Sequence, residues 1–166
     1  MKITIIYGSS TGNTEAAASQ LSKLMPESQV MEVTDADTTD FENCELLVLG
    51  TSTWGFGDLQ DDWESALDKL RSANLTDKKV ALFGLGDQDS YPSTFVDGLR
   101  PLNDAAKEAG AKLIGLWSAE NYDFQDSAAL EGDKLLGLAL DEENQSELSD
   151  QRMKNWTEQL LNEMGH

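Results

Sequence analysis

Cysteine and histidine are almost missing from these 166 residues: Cys44 and the terminal His166 are the only ones. One cysteine excludes an intrachain disulfide and points to a reducing, cytoplasmic setting. Cys44 stands just ahead of the apolar stretch 46–49, where a half-buried, inert thiol is expected. Without a second cysteine or an internal histidine, Cys/His metal centres and Cys–His catalysis are excluded. Cationic side chains are also scarce. Twelve Lys and Arg face 31 Asp and Glu, giving a formal charge of -19 and a pI near 4.1. That excludes the basic footprint of a nucleic-acid binder and disfavours anionic membrane surfaces. It favours a partner with a positive patch, approached by salt-sensitive steering. Solubility alone accounts for the acidity equally well. No apolar run reaches transmembrane length, and Lys2 leads into five strand-like residues rather than the core of a signal peptide. No Pro/Gly linker or repeat divides the chain, so one domain over 1–166 is expected.

What is present is an alternation. Apolar, β-branched runs fall at 3–7, 30–33, 46–50, 80–84 and 113–117, and helix-like periodicity falls at 13–25, 61–72, 94–109 and 150–163. Strands alternating with helices read as an α/β fold with a parallel sheet covered on both faces. The nearly unbroken apolar character of the strands agrees with burial on both sides. Roughly twenty residues without periodicity follow 113–117, and then comes "LALD" at 138–141. The segment of about 118–137 is read as an insertion that splits the fifth strand, with residues 138–140 supplying its end.

In open parallel sheets, ligands bind beyond the carboxyl ends of the strands, where strand order reverses. Three loops should lie there: "SSTGNT" (9–14), "TSTWGFGD" (51–58) and "GLGDQDSYPSTF" (84–95). The first lacks the spacing and lysine of a Walker A motif, so a triphosphate with its metal is not expected. Gly84 and Gly86 begin a dinucleotide fingerprint, but Asp89 occupies the third glycine position. What remains is a cradle of hydroxyl and backbone donors at a helix start. Ser9, Ser10, Thr11 and Thr14 offer O–H groups, Gly12 permits close approach, and Asn13 and Thr14 open the helix. Such a cradle suits one terminal phosphate, because each charge-assisted hydrogen bond contributes about 1.5–3 kcal/mol. The same residues would also serve simply as a helix cap. Trp54 and Tyr91, in the other two loops, could sandwich a flat ring.

Together, "YGSSTGNTE", "TSTWGFGDLQDDW", "GLGDQDSYPSTF" and "GLALDEENQSELSDQRMKNW" resemble the flavodoxin family, in its long-chain form with an insertion in the fifth strand. The resemblance implies a doubly wound five-stranded sheet in the order 2-1-3-4-5, three layers deep, with noncovalent FMN. By resemblance, Ser9, Ser10, Thr11, Gly12, Asn13 and Thr14 hold the phosphate, and Trp54 and Tyr91 stack on the two faces of the isoalloxazine. Thr53, Gly55, Gly57, Gly86 and Asp87 would contact the polar edge of the ring, and Phe56 is counted with them among the cofactor-binding residues. The Gly55 carbonyl would turn to accept the N5–H of the semiquinone, a turn that glycine makes at little cost. The implied function is a low-potential one-electron carrier, cytoplasmic and monomeric, without substrate turnover of its own. Its partners would be a reductase and acceptor enzymes docking on the acidic face at Asp58, Asp61, Asp62 and Glu64. The alternative is an FMN-dependent NAD(P)H quinone or nitro reductase on the same fold.

Overall fold

Alternate residues of the central strands face opposite ways, and both directions are apolar. The computed structural model describes residues 1–54, Trp54 by its backbone alone, and 57–165. The first strand, β1 (Ile3–Tyr7), is buried throughout. It leads into α1 (Asn13–Leu24), then β2 (Gln29–Glu32) and a short α2 (Thr38–Glu42). The long β3 (Leu46–Trp54) is followed by β4 (Asp58–Leu59), α3 (Asp61–Ser72), β5 (Lys79–Leu85) and α4 (Leu99–Glu108). Four short strands follow, β6 (Lys112–Ile114), β7 (Trp117–Ser118), β8 (Leu130–Glu131) and β9 (Lys134–Leu135), and then β10 (Leu138–Leu140) and α5 (Ser149–Glu163).

The parallel sheet runs β2-β1-β3-β5. β5 then takes two parallel partners end to end: β6 along Lys79–Ala81 and β10 along Phe83–Leu85. With β6 and β10 sharing one sheet position, the order is 2-1-3-4-5. Between them, β7, β9 and β8 form a separate three-stranded antiparallel sheet. The expected strand over 113–117 ends at Ile114 because Gly115 takes φ 77. The Gly115 N–H donates to Glu163 Oε2 at 3.0 Å, and its carbonyl accepts from Trp156 Nε1 at 2.9 Å, so α5 satisfies both groups that leave the sheet.

Ile6, Leu47, Leu49, Val80 and Leu82 pack towards α3 and α4 with Trp63, Leu70, Leu99 and Leu102. Ile5, Leu46, Val48, Ala81 and Phe83 face α1 and α5 with Leu21, Trp156 and Leu160. The period of two thus fills two cores at once, which makes a three-layer α/β/α sandwich. α4 is shorter than its periodicity suggests, since 94–98 form turns ahead of it. α2 has too few residues to show a period. It is held by a capping box between Asp37 and Asp40. Cys44 is buried, its thiol pKa pushed up by that burial, as suits an inert side chain.

The segment between β7 and β10 is packed rather than loose. Phe124 stacks on Phe95 at 5.1 Å, and the Tyr122 hydroxyl donates to Ala139 O beneath the Arg152 guanidinium, which lies 4.0 Å from its ring. Arg100 donates to Ala128 O and Leu130 O and pairs with Glu131 at 2.7 Å. The return to β10 passes so close to β5 that a Cβ on Gly137 would lie 1.9 Å from Leu82 O. Backbone cannot yield there as a side-chain end would. Gly137→Ala is therefore expected to cost at least about 2 kcal/mol, within the range of core overpacking. The measurement is the urea midpoint at unchanged m-value.

Candidate functional site

The first loop is folded by its own hydroxyls. Ser9 Oγ accepts the Gly12 N–H at 3.0 Å, and Ser10 Oγ accepts from Gln60 Nε2 at 3.2 Å. Both hydroxyls use a lone pair internally and keep their O–H to donate outward. Gly12 is the N-cap of α1 at φ 92, so no side chain caps the helix. Gln60 caps α3 by accepting from the N–H groups of Asp62 and Trp63, and Asp37 and Asp40 form a capping box at α2, whereas α4 and α5, like α1, start without a side-chain cap. An uncapped helix start beside hydroxyl donors suits an anion from outside the chain, and the capping role open to these residues is not the one they take. A Cβ at Gly12 would meet no atom within 4 Å, so its φ, not crowding, selects glycine. Thr14 is buried at the helix start, whereas Thr11 and Asn13 are exposed.

β3 runs four residues beyond the expected strand, to Trp54, and its end pairs antiparallel with β4, Thr53 opposite Leu59 and Trp54 opposite Asp58. Residues 51–54 of the second loop are therefore strand. Thr53 Oγ1 accepts the Gly98 N–H at 2.9 Å. The Trp54 side chain, Gly55 and Phe56 lie outside the described residues, and with them the expected stacking partner and the expected peptide turn.

Thr11, Asn13, Thr53, Gly86, Asp87 and Tyr91 come together around a crevice of about 150 Å³ at the carboxyl ends of β1, β3 and β5. Ser52, Leu85, Glu142 and Glu143 complete its walls. None of these ten is Lys or Arg. Ser52 Oγ, on the wall of the crevice, is buried and, among the described residues, without a hydrogen-bond partner. Tyr91 is 41% exposed at its rim. Ser10 and Gly57 instead line a wider groove, about 680 Å³, with Asp58, Leu59, Asp61, Glu64, Leu67 and Pro101. Asp62 turns its carboxylate to Gln60 Nε2 at 3.0 Å.

Gln60 escaped the sequence reading. It is 1% exposed and joins the first loop to α3, while the Trp63 indole N–H donates to Gly50 O at 2.7 Å beneath them. A glutamine before an acidic helix start looks like surface, and only the packing makes it a strut. Ser52 and the Glu142–Glu143 pair also went unnamed, the first lying among other hydroxyls in a stretch read as loop, the second contributed from the far end of the chain.

A family model described as flavodoxin matches residues 5–156. The chain belongs to the flavodoxin family. It is 41% identical to a flavodoxin of Nostoc sp. over 99% of this chain and 98% of that protein. It is 42% identical to flavodoxin 2 of Escherichia coli, over 99% and 97%. The crystal structure of Fusobacterium nucleatum flavodoxin bound to flavin mononucleotide superposes with a TM-score of 0.93 at 31% identity, covering 98% of both chains.

Asp87 gives the site a measurable signature. Partial burial pushes its carboxyl pKa up, but donors from Ser90, Asn144 and Asp89 outweigh this and hold it below its ordinary 3.8. A pKa lowered by folding stabilises the protein above the unfolded value, and that contribution is lost as pH falls through the folded one. The stability gap between the wild type and Asp87→Asn should be full at pH 7 and shrink below about pH 4, where unfolded carboxyls protonate. Urea midpoints of both proteins from pH 7 to 3 check this, and a gap that does not depend on pH contradicts it.

Proposed function

We propose that this protein is a low-potential one-electron carrier that binds FMN noncovalently, drawing electrons from a reductase and delivering them to redox enzymes. One observation carries the reading: Thr11 and Asn13 at the uncapped start of α1 and the buried Ser52 hydroxyl, unpartnered among the described residues, border one crevice without Lys or Arg in its lining. Such a donor set fits a monophosphate on a neutral, flat body better than a polyphosphate, which would need cations. Bound FMN supplies one-electron chemistry. The chain supplies the grip: Ser9, Ser10, Thr11, Asn13 and Thr14 around the phosphate at the Gly12 turn, Tyr91 against one ring face, and Trp54 against the other. Thr53, Gly57, Gly86 and Asp87 follow the polar edge. Asp87, Glu142 and Glu143 place negative charge at the crevice, which opposes adding a further negative charge to the ligand and favours passing electrons on.

The groove that holds Asp58, Asp61 and Glu64, with Asp62 beside it, is the docking face in this reading. It lies next to the crevice, and Leu67 and Pro101 in its floor offer apolar contact. Partners with a basic patch would be steered there. The reading further holds the chain to be one monomeric domain acting in the cytoplasm. Among the described residues no helix is long and apolar enough to cross a membrane.

Stepwise anaerobic reduction followed by visible spectroscopy tests the reading. Flavin bands that give way to a long-wavelength, one-electron-reduced species are expected. A direct two-electron change would favour a reductase enzyme instead, and a colourless chain that takes up no FMN would overturn the proposal. The docking face has its own check. Neutralising Asp58, Asp61 and Glu64 together should slow reduction by a basic partner several-fold at low salt. The difference should vanish near about 1 M salt, where the screening length is about 3 Å.

A further inference from the structure

Asp141, at the end of β10, has 0% exposure and no ion pair with Lys or Arg among the described residues. Its carboxylate is surrounded by N–H donors. Oδ2 accepts from Gln88 N at 3.1 Å, Gln88 Nε2 at 2.8 Å and Asn144 Nδ2 at 2.9 Å. Oδ1 accepts from Glu143 N at 3.2 Å, Asn144 N at 3.0 Å and Asn144 Nδ2 at 3.1 Å. A buried charge is costly unless it is hydrogen-bonded in this way, and a chain at -19 has no need of one more for solubility.

The donors come from separate segments of the chain. Gln88, 3% exposed, also accepts the Asp123 N–H through Oε1, which ties in the segment between β7 and β8. Asn144 Nδ2 reaches Asp87 Oδ1 at 2.8 Å, and the same oxygen accepts the N–H groups of Asp89 and Ser90. Tyr91 N donates to Asp87 O, Gly86 N donates to Leu140 O, and Pro92 O accepts from Gln125 and Asp126. The loop that carries Asp87 and Tyr91 to the crevice is therefore fixed at its start, middle and end by β10, the 141–145 turn and the insertion.

We propose that Asp141 is a positioning residue, acting through Gln88 and Asn144 to hold the 86–91 loop in its ligand-binding pose and so to set the affinity for FMN. This rests on the FMN reading above. A carboxylate is required because every neighbour donates. The amide of an asparagine, in either orientation, would set an N–H group against two or more others. The insertion then has a task in this chain, since through Asp123, Gln125 and Asp126 it is the outer clamp on the same loop.

Asp141→Asn is the test, with two readouts. The Kd for FMN, titrated by flavin fluorescence, should rise about 10- to 100-fold, as expected when charge-assisted bonds are replaced by clashing donors. In the FMN-free full-length chain, the amides of Asp89, Ser90 and Tyr91 should exchange hydrogen faster by at least about tenfold while those of β3 stay as in the wild type. A Kd unchanged within about twofold, or exchange that accelerates equally in β3, would overturn the proposal, the latter reducing Asp141 to general support. Should Asp141→Asn fail to fold, Asn144→Ala removes the strap to Asp87 and the side-chain donor to Asp141, while the donors from Gln88, Glu143 N and residue 144 N stay in place. It is expected to raise Kd about three- to tenfold, and an unchanged value there is equally fatal. A wild type that binds no FMN defeats the functional reading instead, and the exchange readout still decides the role of Asp141.

Discussion

β5 is the strand on which everything else depends. It is fully paired on one side by β3, and on the other by two partners in succession, β6 and then β10. A parallel sheet cannot leave such a strand exposed on either face or along its edge without stranding backbone groups. The chain meets the requirement by leaving the sheet at Gly115, building a small antiparallel sheet outside it, and returning at Gly137 in contact with the Leu82 carbonyl. The insertion is thus a detour between two halves of one sheet position. Because β10 ends beside β5, the 141–145 turn arrives next to the 86–91 loop, and the crevice acquires a wall that neither loop could build alone.

Charge at the site follows the same geometry. A crevice with hydroxyl, amide and backbone donors but no Lys or Arg in its walls can hold an anion of low charge and must repel one of high charge. The acids supplied by Glu142 and Glu143 come from late in the sequence, while the hydroxyls come from its start. Their meeting is a property of the sheet order, in which β3 and β5 stand between β1 and β10. The broad acidic groove beside the crevice is built separately, from β4 and the first turn of α3, where Asp and Glu also complement the helix dipole. One set of side chains can therefore stabilise a helix and offer a docking field.

Much of this could be read from residues in order. α1 and α3 are long and periodic enough to fix their starts, and β1, β3 and β5 are apolar on both faces, which announces a covered parallel sheet. The three loops were singled out because ligands bind beyond strand ends in such a sheet. Other features stayed hidden for physical reasons. α2 is shorter than two turns. β3 continues through Thr51, Ser52 and Thr53, whose hydroxyls imitate a loop while their backbones still find partners. Gln60, Gln88 and Asp141 resemble surface residues in sequence, because polarity says nothing of whether donors from elsewhere will close around a side chain.

The sequence by itself determined the layers, the alternation of strand and helix, and the hydroxyl-rich turn ahead of α1, since each rests on periodicity or on neighbours a few residues apart. Only the tertiary structure decided which distant groups meet. Asp141 faces Gln88, Glu142 borders a crevice opened by Thr11, and Tyr122 packs over Phe95. Those pairings depend on strand order and register, which are set by the simultaneous burial of both faces of the sheet and leave no mark on the local sequence.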